Sequence, residues 1–424
     1  MFYGWWVVTL AFIATAFGGA TIWYGFTAFF DPLVAEFGWS YTAISLAASF
    51  RSMEVGLLGI FIGFIVDRFG SRRIIFVGSV LTGIGYILLS RVNSLAAFYA
   101  LFLLIFIGST GISSIIFFQA VTRWFRKRLG LALGIASAGY GAGGFAVPGI
   151  VYLIDLLGFR TVFIIIGIGA IVIGGLTSFF IRDRPEDKGL LPDGVTSTKT
   201  GQDTGNSGSK PFTIAEQTRS YSFREAISDP AFWILTYVST MSTLSVMMVT
   251  THVMPYLEHI GYARYTASMV AMMIPVTSIV GRLSLGWLSD ITSRKVTFLL
   301  AAIGQTIGIL LFLYANVSFA LIIPFVVFYS ISYGGIVVLR PVALRDIYGS
   351  AHIGSILGFS LGLSSLISLG GPLLGGWVFD ATGSYDIAWL ISSILVFVGI
   401  PLLPLMKSPP IMGKGVPPRI GGKQ

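Results

Sequence analysis

One residue near the middle of an apolar run stands out as able to do chemistry. Arg282 is flanked by Gly281 and Leu283, and no Asp or Glu occurs between Glu258 and Asp290. A guanidinium inside a membrane span costs ~2.5–3.5 kcal/mol on insertion scales, so a functional anion partner is the default reading. Its planar fork presents parallel N–H groups that match the two oxygens of a carboxylate. Arg282 is therefore a candidate binding residue, since no acid on its own helix can neutralise it. A second cation, Arg51, lies three residues before Glu54, so the two share a helix face. They read either as a compensated pair that fixes packing or as a proton-coupling pair in which protonation of Glu54 frees Arg51. His252, toward the far end of another apolar run, either hydrogen-bonds a bound molecule and titrates near neutral pH or fills a helix contact as a satisfied polar residue. Gln119, Tyr24 and Tyr333 are further polar groups inside apolar runs. Three dispersed histidines give no metal spacing, and the lack of cysteine excludes disulfides and thiol chemistry. No metal or cofactor is expected.

Membrane helices have to hold these residues. Hydrophobic residues fill 55% of 424 positions and charged residues 11%, with a mean hydropathy of +0.86, far from soluble composition. A bilayer core takes ~20 apolar residues per helical span. Twelve such stretches lie near 5–30, 42–66, 73–91, 95–121, 129–154, 160–181, 230–257, 265–289, 296–314, 318–340, 354–378 and 387–406. None alternates residue by residue as a barrel strand would. The expected fold is an all-α membrane protein of twelve transmembrane helices in two six-helix bundles.

The bundles are expected over 1–181 and 230–406, with a linker at 182–229 and a tail at 407–424. The linker core, Val195 to Lys210, is rich in Gly, Ser, Thr and Asp and cannot bury a core. Ser222 to Ile227 reads as a short amphipathic helix on the membrane surface. The net charge of +9 is explained by position: 22 of the 27 Lys and Arg fall at one side of the predicted spans. Arg91, Arg160 and Arg264 fall on the other side, and Arg51 and Arg282 lie within spans. This asymmetry follows the positive-inside rule and predicts a multi-pass protein of the cell inner (plasma) membrane with both termini cytoplasmic. It makes the basic excess a topology signal rather than a sign of a nucleic-acid partner. The N-terminus enters the first span without a basic region or cleavage site, so that helix is expected to serve as an uncleaved targeting signal.

The two halves repeat a pattern. Gly63-Phe64-Ile65-Val66-Asp67 precedes Arg72-Arg73, and Gly286-Trp287-Leu288-Ser289-Asp290 precedes Arg294-Lys295, 223 residues later. Gly38-Trp39-Ser40-Tyr41 and Gly261-Tyr262-Ala263-Arg264 open corresponding spans, and Arg123 corresponds to Arg345. Internal repeats in a membrane chain put a binding site at the interface between the halves. Small residues four apart, at Gly59/Gly63, Gly139/Gly143 and Gly354/Gly358/Gly362, predict close helix contacts. The run Gly139 to Gly144 spells G-x-G-x-x-G, but it lies within an apolar span with no preceding strand, which argues against a dinucleotide site. No P-loop, H-E-x-x-H or nucleophile elbow supports an enzyme.

At this level the chain resembles the major facilitator superfamily over essentially its whole length. It resembles the monocarboxylate transporter family more narrowly, whose fifth span opens with YFxKRRxLAxGxAxAG. Here the segment runs from Trp124-Phe125-Arg126-Lys127-Arg128-Leu129 to Ala136-Ser137-Ala138-Gly139, with Trp124 and Leu129 as departures. The first span opens with Tyr3-Gly4-Trp5-Trp6, similar to that family's Gly/Trp-rich start, and the oxalate–formate exchangers look alike here. The resemblance implies that Arg282 binds the substrate carboxylate and that the spans of Gln119, Tyr24 and Tyr333 line a central cavity. It also implies two gating pairs, Asp67 with Arg123 and Asp290 with Arg345. Animal monocarboxylate carriers place an Asp where Ser278 stands here and a Lys where Tyr24 stands, and the oxalate exchangers add a Lys to a span that has none here. With Arg51 offset by Glu54, one unpaired cation favours a monoanion.

The resulting expectation is a secondary active, monomeric carrier of a small monocarboxylate such as lactate or pyruvate, coupled to protons and working by alternating access. Glu54, His252 or the substrate itself would carry the proton. Anion exchange of carboxylates such as oxalate and formate is the alternative mode, and a carboxylate sensor without transport is the alternative class.

Overall fold

The computed structural model describes residues 2–53, 68–112, 116–117, 120–121, 124–125, 129–182, 221–349 and 352–406. Glu54, Asp67, Gln119 and Arg123 lie outside these residues, as do the linker core, the tail and the side chain of Arg51. Among the described residues the chain is helical throughout and contains no strand.

Among the described residues eleven helices are long and apolar enough to cross a membrane. They are α1 (Tyr3–Phe37), α3 (Ser71–Leu89), α4 (Leu95–Ile112), α5 (Leu131–Leu157), α6 (Phe159–Phe180), α7 (Pro230–His259), α8 (Arg264–Ile291), α9 (Arg294–Leu313), α10 (Phe319–Tyr348), α11 (Ile353–Thr382) and α12 (Asp386–Leu405). The described part of the second span, α2, covers Tyr41–Met53. The short helix after the linker runs from Phe223 to Ser228 and opens with a reciprocal cap between Ser222 and Glu225. Local chemistry sets the boundaries. Ser94 and Ser293 accept the free amides that open α4 and α9, while Asp229 and Pro230 start α7. Gly158, at φ +76°, is the single residue between α5 and α6, a backbone state that favours glycine.

Helix α1 departs from regular geometry where it crosses the middle of the protein. An α-helix to Gly18 gives way to a π turn over Gly19–Tyr24 and a 3₁₀ turn over Gly25–Phe29. Irregular backbone at this depth is tolerated where protein surrounds it, and here Gly139 and Gly143 of α5 supply the close packing. A Cβ on Gly139 would stand 2.5 Å from the Phe12 carbonyl oxygen, and one on Gly143 would stand 2.5 Å from the Ala20 nitrogen. Thr15 Oγ1 donates across the same contact to the Ala136 carbonyl at 2.9 Å. The four-residue glycine spacing thus marks a real helix contact in α5. In α11 it does not: positions 354 and 358 face open space.

The apolar residues form three cores. One unites both halves of the chain, drawing Phe26, Phe29 and Ala47 from the first and Met254, Ile274 and Trp389 from the second. The other two are separate. Val7, Ile75, Phe117, Trp124 and Ile181 build one within the first half, and Phe232, Phe298, Leu344, Tyr348 and Leu403 build one within the second. The separate cores sit at the face that holds the start of α1 and the end of α10, here the proximal face. The shared core sits at the opposite, distal face. Among the described residues the halves are therefore joined distally, while proximally each keeps a core of its own.

His252 is a fastener of the distal joint, 0% exposed. Its Nε2 lies 2.8 Å from the Pro372 carbonyl oxygen of α11, which fixes the proton on that nitrogen. Ser45 Oγ of α2 lies 3.2 Å from the same nitrogen, and the Tyr385 hydroxyl lies 3.2 Å from Nδ1. Around it, the Asp380 carboxylate at the end of α11 accepts the Thr42 amide of α2 at 2.8 Å, Ser49 Oγ donates to the Leu369 carbonyl at 2.9 Å, and the Met254 amide reaches Thr27 Oγ1 at 3.4 Å. Arg264 donates to the Ala28 carbonyl at 2.6 Å and pairs with Glu258 at 3.3 Å and Asp155 at 3.2 Å. Of the two readings of His252, the arrangement seen is the helix contact: its ring nitrogens are engaged in holding helices together.

Two outcomes follow. Gly143→Val forces a side chain into the α1 backbone and should destabilise the protein by about 1–3 kcal/mol, read as a lower thermal midpoint in detergent. Thr27 is 2% exposed in the joint, and the chain has no native cysteine to interfere with labelling. Thr27→Cys should resist a membrane-impermeant thiol reagent, and adding His252→Ala should speed its labelling about five- to tenfold, as expected for losing a net hydrogen bond or more.

Candidate functional site

Arg282 projects from α8 at the level where α8 crosses α5. A Cβ on Gly141 of α5 would lie 2.9 Å from the Pro275 carbonyl of α8, so the two backbones meet just distal to the arginine. Below that crossing, Arg282 Nη1 donates to the Ser137 carbonyl of α5 at 3.1 Å. The guanidinium therefore spans the two halves of the chain. Its Nε is buried and has no hydrogen-bond partner among the described residues, and no described carboxylate forms an ion pair with it. Ser278, one turn earlier, turns its hydroxyl back to the Pro275 carbonyl at 2.7 Å and supplies no charge. A half-buried cation with a neutral carbonyl as its one described hydrogen-bonded neighbour retains donors for an incoming anion.

Tyr24 and Tyr333 meet across the same interface, with hydroxyls 3.0 Å apart. Tyr24 comes from the π turn of α1, and Tyr333 from α10. Gly334, next to Tyr333, packs so closely on α8 that a Cβ there would stand 3.0 Å from the Arg282 amide nitrogen. The arginine and the tyrosine pair therefore occupy adjoining helices at one depth. Each hydroxyl can donate or accept, so the pair suits a hydroxyl or keto group beside a carboxylate. His252 shares no described partner with Arg282 and belongs to the distal joint.

At the proximal face the second loop signature does its work with a different partner from the one the sequence suggests. Asp290 Oδ1 lies 2.8 Å from Arg294 Nη1, and Arg294 Nε lies 2.9 Å from Asp346 Oδ2 of α10. Arg345 forms no ion pair with Asp290, whose partner is instead Arg294, itself paired with Asp346. The reason is geometric: Arg294 opens α9 one turn from Asp290 and faces the end of α10, whereas Arg345 is exposed beside Asp346. Lys295 donates to the Pro404 and Met406 carbonyls at 2.5 and 3.0 Å, holding the end of α12.

Sequence reasoning missed a second internal cation. Arg340 was placed at the end of the tenth span, but α10 continues through Pro341 to Tyr348 and leaves Arg340 5% exposed. Its partners are serines of α11, with no acid among them.

A model of the Major Facilitator Superfamily matches residues 8–359. Monocarboxylate transporter 12-B of Danio rerio is 26% identical over 409 residues, covering 92% of this chain and 84% of that protein. The oxalate:formate antiporter of Oxalobacter formigenes is 25% identical over 388 residues, covering 89% of this chain and 86% of that protein. The fold is similar to the crystal structure of a bacterial homologue of the human lysosomal transporter Spinster, with a TM-score of 0.74 at 16% identity over 95% of this chain and 96% of that one. This chain thus belongs to the Major Facilitator Superfamily, a family of multi-pass membrane transporters rather than enzymes.

Proposed function

We propose that this protein is a secondary active transporter of small monocarboxylates of lactate or pyruvate size, working by alternating access between the halves. The observation that carries this reading is Arg282, a guanidinium bridging α8 and α5 without a described carboxylate of its own. The Tyr24–Tyr333 pair would receive the substrate's hydroxyl or keto group. A joint that the described residues form distally, with separate cores proximally, is what one limb of an alternating cycle requires. The positive-inside asymmetry supports reading the proximal face as cytoplasmic, with both termini there, and the cell inner membrane as the location. The bundles are taken as 1–181 and 230–406, and the working unit as a monomer.

Proton coupling is the favoured energy source, with Glu54 beside Arg51 as the residue to titrate. Gln119 is retained as a lining residue of the cavity, and Asp67 with Arg123 as the gate of the first half. One observation favours exchange of carboxylate anions as the second mode. Ser278 stands one turn from Arg282, so no acid there can take up the proton that symport would move. The name of the Oxalobacter relative is consistent with that mode.

Reconstitution in liposomes tests the proposal. Counterflow of labelled lactate should accumulate label, whereas a sensor binds without accumulation. Arg282→Lys keeps the charge but loses the fork, and uptake should fall at least about tenfold while the protein still elutes as a folded monomer. Uptake at the parent rate would remove the carboxylate fork. Glu54→Gln should flatten the pH dependence of uptake, and an unaltered profile would exclude Glu54 as the coupling group.

A further inference from the structure

Arg340 belongs to no part of the machinery described so far. It lies on α10 seven residues after Tyr333, which returns it to nearly the same helix face. At 1.5 Å per residue that is ~10 Å closer to the proximal face. Tyr333 looks across the interface between the halves, so Arg340 stands on the proximal continuation of that stripe.

Its surroundings are built from hydroxyls. Arg340 Nε donates to Ser360 Oγ at 3.2 Å, and Nη2 donates to the Ser360 carbonyl at 2.6 Å, to Ser360 Oγ at 2.9 Å and to Ser364 Oγ. Behind the serines, Thr236 Oγ1 lies 2.9 Å from Ser360 Oγ, and Thr240 Oγ1 lies 2.5 Å from Ser364 Oγ. Each pair is 124 residues apart, so α7 and α11 present two matching rungs. All four hydroxyl-bearing residues are buried, and every acceptor that Arg340 uses is neutral. Nη1 makes no hydrogen bond to a described residue and is not among the sealed atoms. A full positive charge at this depth, with neutral neighbours and donors to spare, lacks its counter-charge. Hydroxyls suit the missing group, because each can turn from accepting to donating when an anion arrives.

We propose that Arg340, Ser360 and Ser364, backed by Thr236 and Thr240, form a second anion subsite, proximal to the Tyr24–Tyr333 pair, for a single carboxylate or an ion of similar size. In the transport cycle it receives the substrate after Arg282 releases it toward the proximal face. That role rests on the function proposed above, whereas anion binding at Arg340 does not. The same chemistry admits chloride, so the test separates the two sources.

The purified full-length protein is titrated with sodium lactate or sodium chloride at constant ionic strength, with sulfate, a dianion without a carboxylate, as the balancing anion, and the thermal midpoint is followed. The series uses the parent, Arg282→Gln, Arg340→Gln and the double variant. Arg282→Gln is expected to keep a lactate-dependent rise in midpoint, and adding Arg340→Gln is expected to abolish it or weaken half-saturation at least about tenfold. A purely structural Arg340 would lower the midpoint with and without anion alike. Ser364→Ala retains the charge, and about fivefold weaker half-saturation in the Arg282→Gln background is expected. This variant carries the test if Arg340→Gln does not fold. The subsite is overturned if Arg282→Gln alone removes all anion response, or if neither Arg340→Gln nor Ser364→Ala moves the remaining one. A response to chloride but not lactate overturns the transfer role and assigns the subsite to an inorganic ion. Lactate uptake indifferent to Arg282→Lys would sink the carboxylate reading while leaving the Arg340 titration free to succeed.

Discussion

In a bilayer no water is at hand to satisfy a polar group, so each one must be met from within the protein or by whatever the protein binds. This constraint governs the molecule. In the distal joint most groups obey it: the imidazole of His252 has a partner at each nitrogen and Asp380 closes the free amides at the start of α2, while the Trp389 indole N–H is buried without a described partner. At the proximal face Arg294 pairs with both Asp290 and Asp346, and Lys295 holds the carbonyls that end α12. Among the described residues two internal arginines lack a carboxylate, Arg282 with an Nε that has no described partner and Arg340 with an Nη1 that bonds no described residue. Both lie within the membrane on helices of the second half. Of the two, Arg282 spans the interface between the halves, where a solute could complete the set, while Arg340 is held by hydroxyls of its own half.

The helical layout was legible because the bilayer imposes a length and a composition that few soluble segments imitate. Arg282 was legible for the same reason, since thirty-odd residues without an acid leave a cation conspicuous. Arg340 was hidden by its neighbour. A residue before proline is biased away from helix, so the pair Arg340-Pro341 reads as a helix end. In the structure α10 passes through Pro341 and carries the arginine inside. The π turn of α1 left no signal beyond a cluster of glycines, and its effect is to aim Tyr24 at Tyr333.

Partner choice was the least legible level. The sequence puts basic residues near Asp290 on both sides of the chain's fold, and spacing alone does not say whether Arg294 or Arg345 will meet it. Likewise the position of His252 along α7 was readable, while its direction was not. A helical period describes one helix, whereas α2, α11 and the residue that caps α12 converge on that imidazole. Glycine spacing carried the same ambiguity: in α5 it marks a contact with α1, and in α11 it marks a surface.

The distal joint is an apolar core laced with rings, including Phe30, Tyr256, Tyr385 and Trp389. Parting it would bring that surface into contact with water, and hydration of apolar surface raises heat capacity. A conformational switch built on such a seam has an enthalpy that drifts with temperature. Its Arrhenius plot should bend rather than run straight, and the bend would report how much oily surface is wetted on the way to the barrier.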